Sequence, residues 1–299
     1  MPTDLEKTSS GMVAIHYIPW VGTKPRTDNA YDSRRLSYAT TFPNPFKRRV
    51  IQTMEMCTGK LRLLSKVRKF ESMGIPHGQP FWAQALDVMG ITLQTPIEQI
   101  NNIPKTGPVI VVANHPHGLV DGMILAELIG RVRQDYKILT RSLLTGVDQI
   151  QDFMIPVPFD HEEDSIKKSL EMRKAAMSHL AQGGVIVVFP SGKVANSQTM
   201  FGPVIEGEWN PFTAKMIQKS GATVVPIFFP GANSRAYQIA AQLSPTIRQG
   251  LLIHEVVHAV NKPQKPIVGA PIPPSEIESW STNPRGFMDW LRQHTISLT

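Results

Sequence analysis

Two histidines and an aspartate share the run Asn114–Gly122, which reads N-H-P-H-G-L-V-D-G. A histidine near its ordinary pKa takes a proton from a hydroxyl at neutral pH. A carboxylate on its far ring nitrogen fixes the tautomer and balances the imidazolium that forms. No serine or cysteine stands in the run to act as a covalent nucleophile, so His115, His117 and Asp121 suit direct activation of an acceptor hydroxyl. The bland alternative is a pair of satisfied histidines in a Pro/Gly loop, and spacing alone leaves both readings open.

The elements around the run must place it. Val109–Val112 is four successive β-branched residues, the pattern of a short buried strand. Asn114 and Pro116 break it, Gly118 marks a tight turn, and a helix-like stretch, Leu119–Val132, begins. The histidines and aspartate therefore sit where a strand feeds a helix, and open α/β sheets bind ligands at the carboxyl ends of strands. Further strands are expected at Tyr136–Thr140, Phe153–Pro158, Val185–Phe189 and Val224–Phe229. Helices are expected at Phe81–Met89, Ser165–Ala181, Asn210–Lys219 and Ala236–Leu243. Pro226 predicts an edge or bulged strand rather than a regular central one. This alternation predicts an α/β domain, a central mixed sheet flanked by helices on both faces.

The run N-H-P-H-G-L-V-D-G resembles the His-x4-Asp block of the glycerolipid (lysophosphatidic acid) acyltransferase superfamily, with one residue inserted to give His-x5-Asp. That variant is similar to the branch of O-acyltransferases that act on ornithine lipids and related aminolipids. Three more blocks follow in the family's order. Phe189-Pro190-Ser191-Gly192-Lys193 resembles F-P-E-G, Val225-Pro226 resembles V-P, and Gly231–Arg235 (G-A-N-S-R) resembles the aminolipid branch's G-x-N-S-R.

The resemblance implies transfer of an acyl group from a thioester of acyl carrier protein or coenzyme A, as co-substrate and with no further cofactor, to a lipid hydroxyl. It implies His115 as base and Asp121 as its orienting partner, with His117 the alternative base because the insertion blurs the register. Backbone N–H groups near Gly118 or Gly192 are expected to hold the oxyanion. Arg141, Ser191, Gly192, Lys193, Asn233 and Arg235 are expected to contact acceptor or donor. The plainer roles are a surface ion pair for Arg141, a turn at Pro190-Ser191-Gly192, and a helix N-cap by Asn233 or Ser234.

The chain departs from the family at one informative place. Ser191 stands where the family has glutamate, and Val194 and Asn196 stand at the arginine positions. No guanidinium is left to grip a phosphate bidentately, and Lys193 is only a point charge. The favoured acceptor is therefore the hydroxyl of an ornithine-lipid-like lyso-aminolipid, with lysophosphatidic acid as the alternative. A non-catalytic peripheral lipid-binding protein with an inert His–Asp pair is a third reading.

His254-Glu255-Val256-Val257-His258 matches H-E-x-x-H, which on a helix sets two histidines on one face for zinc with the glutamate as base. The segment Leu251–Val260 is rich in β-branched residues, so a strand is expected here. On a strand, Glu255 points away from both histidines. No metal site is expected, and a zinc metallopeptidase is kept only as an alternative.

At 299 residues, 41% hydrophobic and 18% charged, the chain can bury a full core. The single cysteine, Cys57, fits a reducing compartment. Charge is uneven within the net +7: from Lys24 to Lys69 there are twelve Lys/Arg against three Asp/Glu. Phe46, Val50, Met54, Cys57, Leu61 and Leu64 recur at helical steps among these cations, the pattern of a basic amphipathic helix, with Gly59 splitting it.

The expected division is a membrane-facing arm and helices over 1–95 and the α/β acyltransferase domain over 96–299. The short stretch Ile15–Trp20 reads either as a strand or as an aromatic patch that dips into lipid. Partners expected are an anionic membrane surface, the carrier or coenzyme A thioester and a lyso-lipid. Nucleic acid is not expected, since no aromatic-rich basic motif or zinc-finger spacing supports it. With no long apolar window and no leader pattern, the expected location is cytoplasmic, on the inner face of the inner membrane.

Overall fold

Among the described residues the α-helices ahead of the first strand are α1 (Pro45–Glu55), α2 (Leu61–Ser72), α3 (Pro80–Met89) and the single turn α4 (Ile97–Ile100). The computed structural model describes residues 37–41, 44–140, 147–158 and 164–298. The stretch Ile15–Trp20 and the rest of the expected N-terminal arm up to residue 36 lie outside them. Asn44 starts α1 by accepting the Phe46 and Lys47 N–H groups at 2.9 and 3.2 Å, with Pro45 at the first helical position. A π turn at Met56–Lys60, kinked at Gly59, separates α1 from α2, as the sequence suggested.

Strand β1 (Val109–Ala113) is buried along its whole length. It leads into α5 (Leu119–Gly130), β2 (Tyr136–Thr140), β3 (Met154–Pro156), α6 (Ser165–Ala181) and β4 (Val185–Val188). A small antiparallel pair follows, β5 (Asn196–Ser197) with β6 (Val204–Ile205), then α7 (Pro211–Ser220) and β7 (Thr223–Phe228). The chain ends through α8 (Arg235–Leu243), α9 (Pro245–Gly250), α10 (Leu252–Ala259), β8 (Ile267–Val268), α11 (Pro274–Ile277) and α12 (Pro284–Ile296).

The main sheet has the order β3-β2-β4-β1-β7-β8, parallel except for the antiparallel β7–β8 pair. It is the mixed sheet expected. Alternate residues of β1 feed two cores. Val109, Val111 and Ala113 join Trp82, Leu86, Ile124, Leu128 and Val256 on one face. Ile110 and Val112 join Ala176, Leu180, Ile217, Phe287 and Leu291 on the other. Both faces are covered, which is why β1 reads as an unbroken apolar run.

Two sequence expectations need correction. Residues 252–259 are helical, not a strand. Ile253, Val256 and Ala259 are buried at three-residue steps against the core that holds α3 and α5, and this packing overrides the β preference of the valines. Strand β7 is interior to the sheet rather than at its edge. Pro226 pairs with Val112 of β1 and accepts the Gly269 N–H at 2.9 Å on the other side, where it can return no donor. The irregularity falls on the β8 side, where pairing steps by one residue between Ile227↔Val268 and Val224↔Ile272.

The topology sets the site. β4, β1 and β7 are adjacent and parallel, so the loops after them leave from one edge of the sheet.

Candidate active site

The first of those loops carries the histidines. Asn114 is buried and closes a two-bond clamp across to β7: its side-chain amide donates to the Phe229 carbonyl at 2.9 Å, and its oxygen accepts the Phe229 N–H at 2.7 Å. This ties the exit of β1 to the exit of β7. Gly118 then turns the chain with φ 73° and ψ −126°, a conformation open to glycine, and α5 begins.

Asp121, in the first turn of α5, is fully buried and takes both histidines. Its Oδ2 accepts from His115 Nδ1 at 3.0 Å and its Oδ1 from His117 Nδ1 at 3.0 Å. Oδ2 also accepts the backbone N–H groups of His117 (2.8 Å) and Gly118 (3.1 Å). A carboxylate at a helix start is favoured by those free donors and by the helix dipole. Burial opposes its charge, but His117 and the hydrogen bonds from both histidines outweigh that and hold Asp121 below 3.8. Burial likewise opposes charge on His117, yet the Asp121 carboxylate, helped by Glu255 and resisted by Lys262, raises it above 6.5.

With both Nδ1 atoms turned to Asp121, each ring offers its Nε2 outward, and neither Nε2 has a protein partner among the described residues. His115 is stacked on Phe189 at 3.9 Å between ring centres. The site thus holds two imidazoles on one buried carboxylate, not the single pair the sequence pattern suggests.

The loop after β4 lies against the first. The His115 carbonyl accepts the Ala195 N–H at 2.8 Å. Ser191, half-buried, shapes the turn, its hydroxyl donating to the carbonyl of the exposed Lys193 at 2.9 Å. The expectation of oxyanion donors near Gly118 or Gly192 narrows here. The Gly118 N–H is spent on Asp121 and the Gly192 N–H on the Phe189 carbonyl at 2.9 Å, so neither is free to hold an oxyanion.

The loop after β7 brings Gly231 to His117: a Cβ at 231 would stand 3.2 Å from His117 Nε2. Ser234 caps α8, its hydroxyl accepting the Tyr237 N–H at 3.3 Å. Asn233 is buried, its carbonyl takes the Gln238 amide at 3.4 Å, and its own Nδ2 has no partner. Arg235 is turned to the β5–β6 turn, donating to the Gly202 carbonyl at 2.9 Å. Arg141 lies outside the described residues.

No sequence pattern singles out Glu206, yet this carboxylate is buried beside His115. Its Oε2 accepts the His115 N–H and its Oε1 the Trp209 indole N–H, each at 3.1 Å. Burial pushes Glu206 above 4.5. It follows β6, far from any recognisable block, so only the three-dimensional contact reveals it.

On α10 the two histidines of H-E-x-x-H do share a face, with ring centres 6.2 Å apart. Their other contacts do not build a zinc site. His254 Nδ1 donates to the Thr58 carbonyl at 3.0 Å, and Lys262 donates to His258 Nε2 at 2.8 Å. Glu255 points inward and accepts the Ser234 N–H and hydroxyl at 2.7 and 2.6 Å. Among the described residues no group of three His, Cys, Asp or Glu is placed to hold a metal ion.

The family model described as Acyltransferase matches residues 74–261, more than half of the chain. The chain belongs to the acyltransferase family. The matched stretch contains all three loops at the sheet edge. This acyltransferase-family chain is 26% identical over 185 residues (59% of this chain, 63% of the relative) to the lyso-glycine lipid O-acyltransferase of Phocaeicola vulgatus. It is 29% identical over 141 residues (46% and 48%) to the protein of the same name from Bacteroides thetaiotaomicron. The alignments therefore span less than two thirds of either relative. Among solved structures, the 1-acyl-sn-glycerophosphate (LPA) acyltransferase of Thermotoga maritima aligns with a TM-score of 0.46 at 17% identity, covering 89% of this chain and 86% of that one.

Proposed function

We propose that this chain moves a fatty acyl group from an acyl thioester, carried on acyl carrier protein or coenzyme A, to the hydroxyl of a lyso-lipid with an amino-acid head group. The observation that carries this is the His115 Nδ1 bond to Asp121 Oδ2 at 3.0 Å, which leaves His115 Nε2 outward at the carboxyl edge of the sheet. In this reading His115 takes the proton from the acceptor hydroxyl, the oxygen attacks the thioester carbonyl, and Asp121 balances the imidazolium. No nucleophilic side chain is needed.

Two features favour an amino-acid head group over a phosphate. The turn after β4 offers Lys193 as an exposed point charge, which suits a single carboxylate, and holds no guanidinium in the described part of that loop. The curated relatives are named for lyso-glycine lipid. A glycine-headed acceptor therefore stands ahead of an ornithine-headed one.

We further propose that the enzyme works at a membrane surface. The fully buried positions of α1 and α2 are Ile51, Glu55 and Leu63; of the expected stripe, Val50, Met54 and Leu64 are half-buried, Leu64 packing against the core, and Phe46, Cys57 and Leu61 are exposed. Phe46 is 74% exposed, Leu61 62% and Met56 48%, among lysines and arginines. Apolar side chains interleaved with cations suit an anionic lipid interface. No helix among the described residues is long and apolar enough to cross a membrane.

The test is a mass-spectrometric transfer assay with acyl carrier protein and coenzyme A thioesters. Lyso-glycine lipid, lyso-ornithine lipid and lysophosphatidic acid would compete as acceptors, beside His115→Ala. Acylated aminolipid from wild type alone is expected. Phosphatidic acid as the main product would overturn the acceptor assignment, and turnover by His115→Ala would overturn the assignment of the base.

A further inference from the structure

One base suffices to take a hydroxyl proton, so the second imidazole on Asp121 calls for a role of its own. His117 is bound to Asp121 twice, through Nδ1 at 3.0 Å and through its backbone N–H at 2.8 Å. Its ring is therefore fixed with Nε2 turned away from the carboxylate, toward the loop after β7. Room there depends on Gly231, whose φ is +94° and whose missing Cβ would reach within 3.2 Å of Nε2. Side-chain exposures of 17% for His115 and 14% for His117 leave both rings partly open to solvent, on the two oxygens of one carboxylate.

Charge separates the two. Asp121 carries one negative charge and can balance one imidazolium. His117 also sees Glu255 across the loop, and the net effect of burial, Asp121, Glu255 and Lys262 is to raise its pKa. At the same time the Gly118 and Gly192 N–H groups are already bonded, so the negative charge that develops during acyl transfer lacks those donors.

We propose that His117 is the proton donor of the reaction, an imidazolium working opposite the base His115. The step rests on the acyl-thioester reading above. The acceptor O–H bond breaks and its proton passes to His115 Nε2. The C–O bond forms, the C–S bond breaks with its electron pair going to sulfur, and the His117 Nε2 proton makes the free thiol. His115 is then protonated and His117 neutral, and a proton passing between the two exposed Nε2 positions through water restores the pair.

The leaving group provides the test. His117→Asn keeps an amide N–H close to where Nδ1 binds Asp121 but has no proton to give. It would be assayed with S-acyl pantetheine, whose alkyl thiolate needs a proton to leave well, and with an S-acyl thiophenol, whose aryl thiolate does not. The expected result is a kcat loss of about 100-fold with the pantetheine donor but about threefold or less with the aryl donor. His115→Asn should lose turnover with both donors alike. Equal loss with both donors in His117→Asn, or no loss with either, would overturn the proposal. Turnover by His115→Asn would instead count against the reading of His115 as base. Thermal unfolding checks each variant, and if His117→Asn does not fold, His117→Gln is put through the same comparison with the same deciding outcomes.

Discussion

The Glu206 carboxylate accepts the backbone N–H of His115 with one oxygen and the indole N–H of Trp209 with the other, both at 3.1 Å. His115 is thus gripped at two points, by Asp121 at the ring and by Glu206 at the main chain. Both donors need an acceptor, and a carboxamide has only one oxygen to offer; its NH2 would face an N–H. Glu206→Gln should therefore displace the His115 loop while keeping its volume. We expect kcat to fall on the order of 10-fold or more, with both KM values little changed, because a small misplacement of a reacting group is costly. Steady-state kinetics with kcat equal to wild type would show that Glu206 does not hold His115 in place.

The buried carboxylates should respond to pH in opposite senses. Glu206 is raised above 4.5, so its contribution to stability is fully present below that value and is lost as pH rises through its higher folded pKa. Asp121 is held below 3.8, so its contribution is present above that value and is lost as pH falls through its lower folded pKa. Urea unfolding of wild type and Glu206→Gln across this range should show the wild-type advantage shrinking from pH 4.5 upward toward neutrality. The matching comparison with Asp121→Asn should show its wild-type advantage shrinking below pH 3.8. A pH-independent difference in either pair would contradict the assigned shift.

Asn114 deserves a separate stability test because its clamp on Phe229 joins two strand ends 115 residues apart. Asn114→Ala leaves a buried N–H and a buried carbonyl of Phe229 without partners. Each orphaned group costs about 1–3 kcal/mol, so we expect a loss of roughly 2–6 kcal/mol in denaturant unfolding. An unfolding midpoint matching wild type would mean the loops after β1 and β7 are held by other contacts.

Local pattern made the strands and the His–Asp run legible. The runs at 109–113 and 185–188 are apolar and mostly β-branched between Gly and Pro, and the bounds of α6, Ser165–Ala181, are legible because its period and ends are local features. What failed depended on distant partners. Glu206 lies 91 residues from His115, and no periodicity relates them. The helix α10 is not legible locally because its valines favour strands, while the core that buries Ile253 and Val256 sets its conformation. Which N–H groups near Gly118 and Gly192 are open is not legible either, because sequence does not show that Asp121 and Phe189 take those of the two glycines.

The exposed apolar residues of α1 and α2 give the last test, of where the enzyme works rather than how. Phe46 and Leu61 are mostly exposed and lie outside the three loops at the sheet edge, so replacing them should leave the proposed chemistry intact. Phe46→Ser with Leu61→Ser removes two large side chains that would enter the interface of a bilayer. Even partial burial of each is worth about 1–2 kcal/mol, which for the pair predicts roughly 30- to 900-fold weaker binding to vesicles containing anionic lipid. Added salt should weaken wild-type binding too, since screening shortens the reach of the neighbouring lysines and arginines. Vesicle co-sedimentation reads both effects, and turnover of detergent-dispersed acceptor should stay near wild type in the double variant. If the double variant sediments with vesicles as well as wild type does, this face of the N-terminal helices does not meet the membrane.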